Sequence, residues 1–420
     1  MITIKVEVLV IPIIMSRKQR KESGMEKKLK IGILGTWRGK AFAQAVSLIE
    51  EAEVTAICDK DADKIEFIRP YISENTKNCK DYDELLDSGI DSVILCNYFY
   101  EHTPFAVKAL KKGIHVLSET LPAITLKECV ELCEAAEASS ALYSFAENYP
   151  YAKATMEIAR VYKSGVLGDV TFAEGEYVHP MSITEDKYYC PTHDHWRYCL
   201  PKTYYMTHAL APLMVATDLM PKKVIGKVAS GVEYNRKRGH EGSDAAGIML
   251  VEADGGAVFR ISGSMHCGVR GNWYRLMCEK GEIGNVPGTM DKVRLVLNES
   301  EIPEGSEQSP EEVYKPAAGE MGKKAMKCGH YGGDFWVTYN FVQDVLANRE
   351  PYMNVYRAAA IAATGILGWR SALDNSKQIE IPDFRNKEDR NAVRGDDLCP
   401  FYIGDKEPTL PHIVYPLEEM

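Results

Sequence analysis

The sequence predicts an α/β chain: an N-terminal doubly wound parallel sheet joined to a C-terminal α+β domain with an open, mostly antiparallel sheet. Three observations predict it. From Leu29 to Phe145, short apolar runs alternate with helical stretches, the pattern of parallel strands linked by crossover helices. The first run, Lys30-Ile31-Gly32-Ile33-Leu34, opens into a glycine turn, and the second, Val54–Cys58, ends on the carboxylate of Asp59. Beyond Asn148 the apolar runs are separated by turns instead of helices, which suits antiparallel pairing.

The elements follow in order. Strands are predicted at Ile31–Leu34, Val54–Cys58, Ser92–Cys96, Ile114–Leu117 and Leu142–Phe145. Between them lie helices at Lys40–Glu51, Lys60–Ile72, Tyr82–Leu86, Thr103–Lys112 (closed by Gly113) and Leu126–Glu137. A helix at Tyr151–Ser164, ended by Gly165, opens the second half. Strands are then expected at Asp169–Tyr177, Lys223–Val232, Ala246–Glu252, Ala257–Ser264, Tyr274–Cys278 and Lys292–Val296. The charged, Pro-, Gly- and Ser-rich stretch Glu301–Lys327 reads as a long loop. Asp334–Ala347 and Tyr356–Asn375 read as amphipathic helices, and Pro400–Met420 as a proline-punctuated tail. These elements place the domains at 26–148 and 149–420. Residues 1–25 are expected to be a non-native or disordered extension ahead of a natural start at Met25. Their apolar run is broken by Lys5, Glu7 and Pro12, and its basic residues follow it, so it is a poor secretion signal.

With 420 residues, 45% hydrophobic and 26% charged, the chain is long enough for two domains with cores of their own. A net charge of −10 argues against nucleic acid or an anionic membrane as partner. The 11 cysteines form no C-x-x-C pair, which reads as a reduced, cytoplasmic protein. No apolar run is long enough to span a bilayer.

The first turn is the nucleotide-binding candidate. Gly32, Gly35, Thr36, Trp37, Arg38 and Gly39 run from strand to helix, where a helix N-terminus receives a pyrophosphate, and Asp59 is placed to accept hydrogen bonds from a ribose. Trp37 and Lys40 stand where a full G-x-G-x-x-G has glycines, so the Trp37 ring must turn away from the phosphates. The acid favours NAD over NADP, while Lys60 and Lys64 keep NADP open.

The stretch DSVILCNYFYEHTPFAVKALKKGIHVLSET, Asp91–Thr120, resembles the Gfo/Idh/MocA family of NAD(P)-dependent sugar enzymes, with His102, Gly113, His115 and Glu119 at its characteristic places. The resemblance runs from about Leu29 to about Phe384. It implies a nicotinamide cofactor, a small carbohydrate or glycoside substrate, and a homodimer or homotetramer. The family's Glu-Lys-Pro is replaced by Glu119-Thr120-Leu121, with Pro122 one place late. Thr120 carries no titratable group to assist proton transfer at the reacting hydroxyl, so the usual lysine-based dehydrogenation is disfavoured.

The same loss marks a subgroup resembling the NAD-dependent α-N-acetylgalactosaminidases. Further blocks are shared with it: Ala146–Tyr149, Glu174–His179, His195-Trp196-Arg197, Tyr205–Pro212 and Gly329–Asp334. In these glycosidases the reaction is hydrolysis without net redox. C3 is transiently oxidised, the C2 proton removed, the C1 substituent eliminated, water added and the hydride returned. The resemblance assigns Tyr205 and His208 to the C2 proton and the water, Tyr177 to the hydroxyls, and Glu119 to orienting the sugar or nicotinamide ribose. A neighbouring cation is expected to lower a phenol's pKa there. Further cofactor contacts are assigned to Asn97, His102, Glu119, Asn148, Trp196 and Arg197, and sugar contacts to Tyr149, His179, His195, Tyr205 and His330. His102 either touches nicotinamide or caps its helix, and Trp196-Arg197 either hold sugar or lock a loop. His115 reads as a core histidine. His193 and His195 lack a zinc-like spacing, so no metal is expected. The alternative function is an NAD(P)-dependent sugar or inositol dehydrogenase.

Overall fold

A computed structural model describes residues 28–180, 197, 200–231, 244–265, 268–302, 304, 309–404 and 406–414. The expected 1–25 extension, His193, His195 and Trp196 lie outside the described residues.

The N-terminal part runs β1 (Leu29–Leu34), α1 (Thr36–Ser47), β2 (Ala52–Cys58), β3 (Lys77–Cys79), α2 (Tyr82–Leu86), β4 (Ser92–Leu95), α3 (His102–Lys111), β5 (His115–Ser118), α4 (Leu126–Glu137) and β6 (Tyr143–Phe145). The strand order is β3-β2-β1-β4-β5-β6, all parallel, so the winding direction reverses between β1 and β4. That reversal opens a crevice at the carboxyl ends of the strands, where nucleotides bind in such sheets. The predicted helix Lys60–Ile72 is instead two short 3₁₀ turns, Ala62–Phe67 and Arg69–Tyr71. Pro70 has no N–H to continue a helix, and neither turn has a buried residue to hold it against the sheet.

Two glycines assigned to the cofactor serve packing. A Cβ on Gly32 would lie 2.7 Å from Ile90 Cδ1, and one on Gly39 would lie 2.5 Å from Ile33 Cγ2. They let α2 and α1 close onto β1. His115 accepts from Leu142 N at 2.9 Å and is a structural residue, as expected.

The second part runs α5 (Lys153–Lys163), β7 (Val170–Val178), α6 (Thr207–Thr217), β8 (Pro221–Ala229), β9 (Ala246–Ala253), β10 (Val258–Ser264), β11 (Gly271–Cys278), β12 (Gly281–Asn285), β13 (Val293–Leu297), β14 (Glu311–Tyr314), α7 (Glu320–Ala325), α8 (Gly333–Ala347), α9 (Val355–Leu373), β15 (Ile379–Glu380) and α10 (Lys387–Val393). Among the described residues the order is β14-β13-β12-β11-β7-β10-β9-β8-β15, antiparallel except where β10 runs parallel to β7. The expected loop Glu301–Lys327 in fact contributes the edge strand β14 and the helix α7.

One sheet face is covered by helices. A Cβ on Gly175 of β7 would lie 2.1 Å from Ala209 O of α6, and one on Gly226 of β8 would lie 2.0 Å from Gly368 O of α9. Helix α6 is buried all round, so it has no amphipathic stripe to reveal it in the sequence. The opposite face carries a row of alternating charges across six strands. Arg260 pairs with Glu174 at 2.7 Å, Glu174 with Arg275 at 3.5 Å, Arg275 with Glu282, Glu282 with Arg294 at 2.6 Å, and Arg294 with Glu311 at 2.8 Å. The two parts interlock: α8 packs on α1, and α9 packs on α4.

Candidate active site

The nucleotide end is built by the β1–α1 turn. Gly35 holds φ 84°, and a Cβ there would lie 2.5 Å from Cys96 O, so only glycine lets β1 turn this tightly against the end of β4. Asp59 Oδ2 accepts from Thr36 N at 2.6 Å and from Thr36 Oγ1 at 2.8 Å, and its Oδ1 accepts from Asp61 N at 3.0 Å. The acid therefore caps the first turn of α1 as well as standing at the ribose position. The Trp37 ring does turn aside: it meets Phe67 edge-on at 4.7 Å, with the Lys40 ammonium 3.9 Å from its centre. Across the crevice, the Lys60 ammonium lies 4.0 Å from the Tyr98 ring centre.

Asn97, just past β4, donates to Glu101 Oε2 at 3.1 Å. His102 is buried at the start of α3, with Nδ1 2.8 Å from Leu121 O, and Thr103 Oγ1 donates to Pro122 O at 2.8 Å. Burial lowers the His102 pKa. The imidazole thus fastens the segment after Glu119 through Nδ1. The Thr120–Leu121 peptide bond in that segment is cis.

These residues fit an NAD molecule. Helix α1 has no acid in its first turn, Asp59 ends β2, and Asn97 and Asn148, at the carboxyl ends of β4 and β6, each keep a buried side-chain oxygen without a hydrogen-bond partner.

Arg38 and Glu119 meet each other. Arg38 Nε donates to Glu119 Oε1 at 2.6 Å, and Thr120 N donates to Glu119 Oε2 at 2.8 Å. Each Glu119 oxygen thus has one donor within the protein, and one of these is Arg38. The Arg38 guanidinium also grips Asp334, at 2.7 and 3.1 Å, which in turn accepts from Asn148 Nδ2 at 3.0 Å. Burial would raise the Asp334 pKa, but Arg38 and His330 outweigh it and hold the carboxyl well below the usual range.

A second cluster of candidate site residues lies where β6, β7 and α6 converge. Glu147, fully buried, places Oε1 2.7 Å from Nδ1 of His208 and 3.4 Å from Tyr149 N, and its Oε2 accepts from Thr120 Oγ1 at 3.5 Å. The residue that replaces the family's lysine therefore touches the carboxylate that holds the histidine. Tyr274 Oη donates to His208 O at 2.7 Å and steadies the first turn of α6.

Around His208 the rings gather. Their centres lie 4.6 Å away for Tyr177, 4.9 Å for Tyr149 and 5.1 Å for Tyr205. His179 stacks on Tyr177 at 5.9 Å, and His330 meets Tyr149 edge-on at 5.7 Å. The Arg197 guanidinium lies 5.8 Å from the Tyr205 ring centre.

Burial raises Tyr149 to about 12 and also pushes Tyr177 well above the usual phenol value. For Tyr177, Arg197 acts to lower the phenol, as a cation does, but desolvation outweighs it. His179 falls to about 4, because burial and then Arg270, whose Nη1 is 2.7 Å from His179 Nε2, disfavour its protonation. Among the described residues, no group of three or more His, Cys, Asp or Glu is arranged to hold a metal ion.

Sequence reasoning assigned no role to Glu147 or Asp334. Both lie in the blocks that carried the resemblance, Ala146–Tyr149 and Gly329–Asp334, and that placement was the available signal.

Comparison with known proteins agrees with this architecture. Residues 29–147 match the model of the Gfo/Idh/MocA oxidoreductase family, NAD-binding Rossmann fold. Residues 304–389 match the glycosyl hydrolase 109 C-terminal domain. The chain thus joins a Gfo/Idh/MocA nucleotide-binding domain to a glycosyl hydrolase 109 C-terminal domain. It is 24% identical over 416 residues to glycosyl hydrolase family 109 protein 4 of Phocaeicola vulgatus, covering 87% of this chain and 80% of that one. It is 23% identical over 390 residues to a family 109 protein of Solibacter usitatus, covering 85% and 88%. Among solved structures, levoglucosan dehydrogenase in complex with NADH and levoglucosan superposes with TM-score 0.72 at 15% identity, covering 85% of this chain and all of that one. Myo-inositol 2-dehydrogenase from Lactobacillus plantarum gives 0.66 at 16%, covering 84% and all of that one. These two likenesses concern the fold.

Proposed function

We propose that this protein is an NAD-dependent glycoside hydrolase that works by transient oxidation of its sugar. The observation that carries the reading is the Glu147–His208 pair, ringed by Tyr149, Tyr177 and Tyr205, with Thr120 in place of a lysine. The glycosyl hydrolase 109 relatives support it.

When bound, NAD supplies reversible uptake of a hydride, in our reading from the sugar C3. A C3 ketone acidifies the C2–H, which is otherwise beyond any base at neutral pH. With Nδ1 engaged by Glu147, His208 presents Nε2 to take that proton, and Glu147 stabilises the imidazolium. Tyr205, half-buried beside Arg197, assists the leaving oxygen and the incoming water. Tyr177, kept neutral by burial, assists at the sugar hydroxyls: it relays the C3 hydroxyl proton to solvent as the hydride leaves and back as the hydride returns. Tyr149, His179 and His330 wall the sugar, and Glu119 acts through Arg38 rather than on substrate. No net redox results.

The test is release of nitrophenol from aryl glycosides of both anomers, with solvent deuterium entering C2 and no net NADH. NADH accumulating with free sugar, without glycoside cleavage, overturns this reading in favour of a sugar or inositol dehydrogenase. The oxidoreductase-family match of residues 29–147 supports that second reading.

We further take the domain boundary to fall at Asn148, where the chain leaves the parallel sheet. The charge row on the uncovered sheet face supports a homodimer or homotetramer formed through that face. No helix among the described residues is long and apolar enough to cross a membrane. The free cysteines of the described residues support a cytoplasmic location.

A further inference from the structure

Asp334 opens α8 with its side chain fully buried, and three side chains, Arg38, Asn148 and His330, meet on it. Its Oδ1 accepts from Arg38 Nη2 at 2.7 Å and from Asn148 Nδ2 at 3.0 Å. Its Oδ2 accepts from Arg38 Nη1 at 3.1 Å and lies 2.9 Å from His330 Nδ1. Arg38 belongs to the first turn of α1, the helix whose N-terminus faces the nucleotide crevice. His330 faces the other way, edge-on to Tyr149 in the ring cluster around His208.

The turn that carries His330 is built for this contact. His330 and Tyr331 both hold left-handed backbone, φ 53° and 56°, a conformation that non-glycine residues adopt only when surroundings impose it. A Cβ on Gly329 would lie 2.5 Å from Asp334 Oδ2, and one on Gly333 would lie 2.4 Å from Asn148 O. The backbone is thus pressed around the carboxylate from both sides. Burial of so many charged groups is tolerable only with this mutual pairing.

We propose that Asp334 is a positioning residue that couples the nucleotide site to the sugar site. It holds the His330 turn in its strained form only while Arg38 is in place on α1. Ordering of α1 by bound nucleotide tightens Arg38 on Asp334 and so presets His330 against the sugar. Coupling of this kind is reciprocal: sugar must then tighten nucleotide by the same factor. This inference rests on the reading of the ring cluster as a sugar site.

The test is calorimetric titration of NAD⁺ into the full chain with and without saturating N-acetylgalactosamine, and the reverse titration. The wild type is expected to bind each ligand about tenfold more tightly in the presence of the other, within the usual range of coupling between sites. Asp334→Asn keeps the shape and is expected to bring that factor to about one. His330→Gln, at a partly exposed side chain, is expected to keep the NAD⁺ affinity of the free protein while losing the coupling. It also keeps the proposal open to refutation should Asp334→Asn fail to fold. Equal affinities with and without sugar in the wild type, or coupling that survives in His330→Gln, overturn the inference. If NAD⁺ binds and aryl glycosides are cleaved while coupling is absent, only this inference falls. If NAD⁺ does not bind at all, the functional reading falls with it.

Discussion

Glu147 and His208 face each other at 2.7 Å, the carboxylate fully buried and the imidazole at the opening turn of α6. A buried carboxylate on Nδ1 sets the tautomer and leaves Nε2 for substrate. Glu147→Gln is expected to lower kcat about 100-fold, within the range for general acid–base groups, with NAD⁺ affinity unchanged. Tyr205→Phe and His208→Ala are expected to act in the same direction. Steady-state kinetics on an aryl glycoside, paired with NAD⁺ titration, checks all three, and unchanged kcat in Glu147→Gln removes the dyad from the chemistry.

Asp59 accepts from Thr36 N and Oγ1, and in our proposal it also holds the cofactor's ribose. Asp59→Ala is expected to cost about 1 kcal/mol of stability through the lost helix cap. It is also expected to weaken NAD⁺ about tenfold through the lost ribose contact. Urea melts and calorimetry separate the two losses. A variant that binds NAD⁺ as tightly as wild type shows that the acid is only a cap.

Gly35 and Gly113 make a paired experiment. Both hold positive φ, 84° and 74°, but a Cβ on Gly35 meets Cys96 O at 2.5 Å while one on Gly113 meets nothing within 4 Å. Gly113→Ala is expected to cost about 1 kcal/mol, the left-handed penalty alone. Gly35→Ala adds a backbone clash, and is expected to cost about 3 kcal/mol and abolish nucleotide binding. Equal melting temperatures in the two variants contradict the tight turn.

His179 carries a pH signature. Its folded pKa is depressed from 6.5 to about 4, by burial and then Arg270. The unfolded chain therefore binds the proton first as pH falls, so stability is complete above about 6.5 and is lost between 6.5 and 4. His179→Gln is expected to flatten this slope by about 2 kcal/mol between pH 7 and 5. Urea midpoints at the two pH values check it. An unchanged slope places the imidazole in solvent.

What was legible in the sequence followed local periods. The parallel sheet showed because strand and helix spacing alternate from Leu29 to Phe145. The ring cluster was half legible, since Tyr205, His208, Tyr177, Tyr149 and His330 lie in the blocks of the family resemblance. Helix α6 was not, being apolar on every side, nor was β14, a short and mostly exposed edge strand.

The sequence by itself determined the alternation of strand and helix in the N-terminal sheet, the acid closing β2, and the loss of the lysine at Thr120. Only the tertiary structure decided which buried charges meet. Arg38 and Asp334 are 296 residues apart, and Glu147 and His208 are 61 apart. A charge inside a protein must find its counterpart in space, and that counterpart obeys no spacing along the chain.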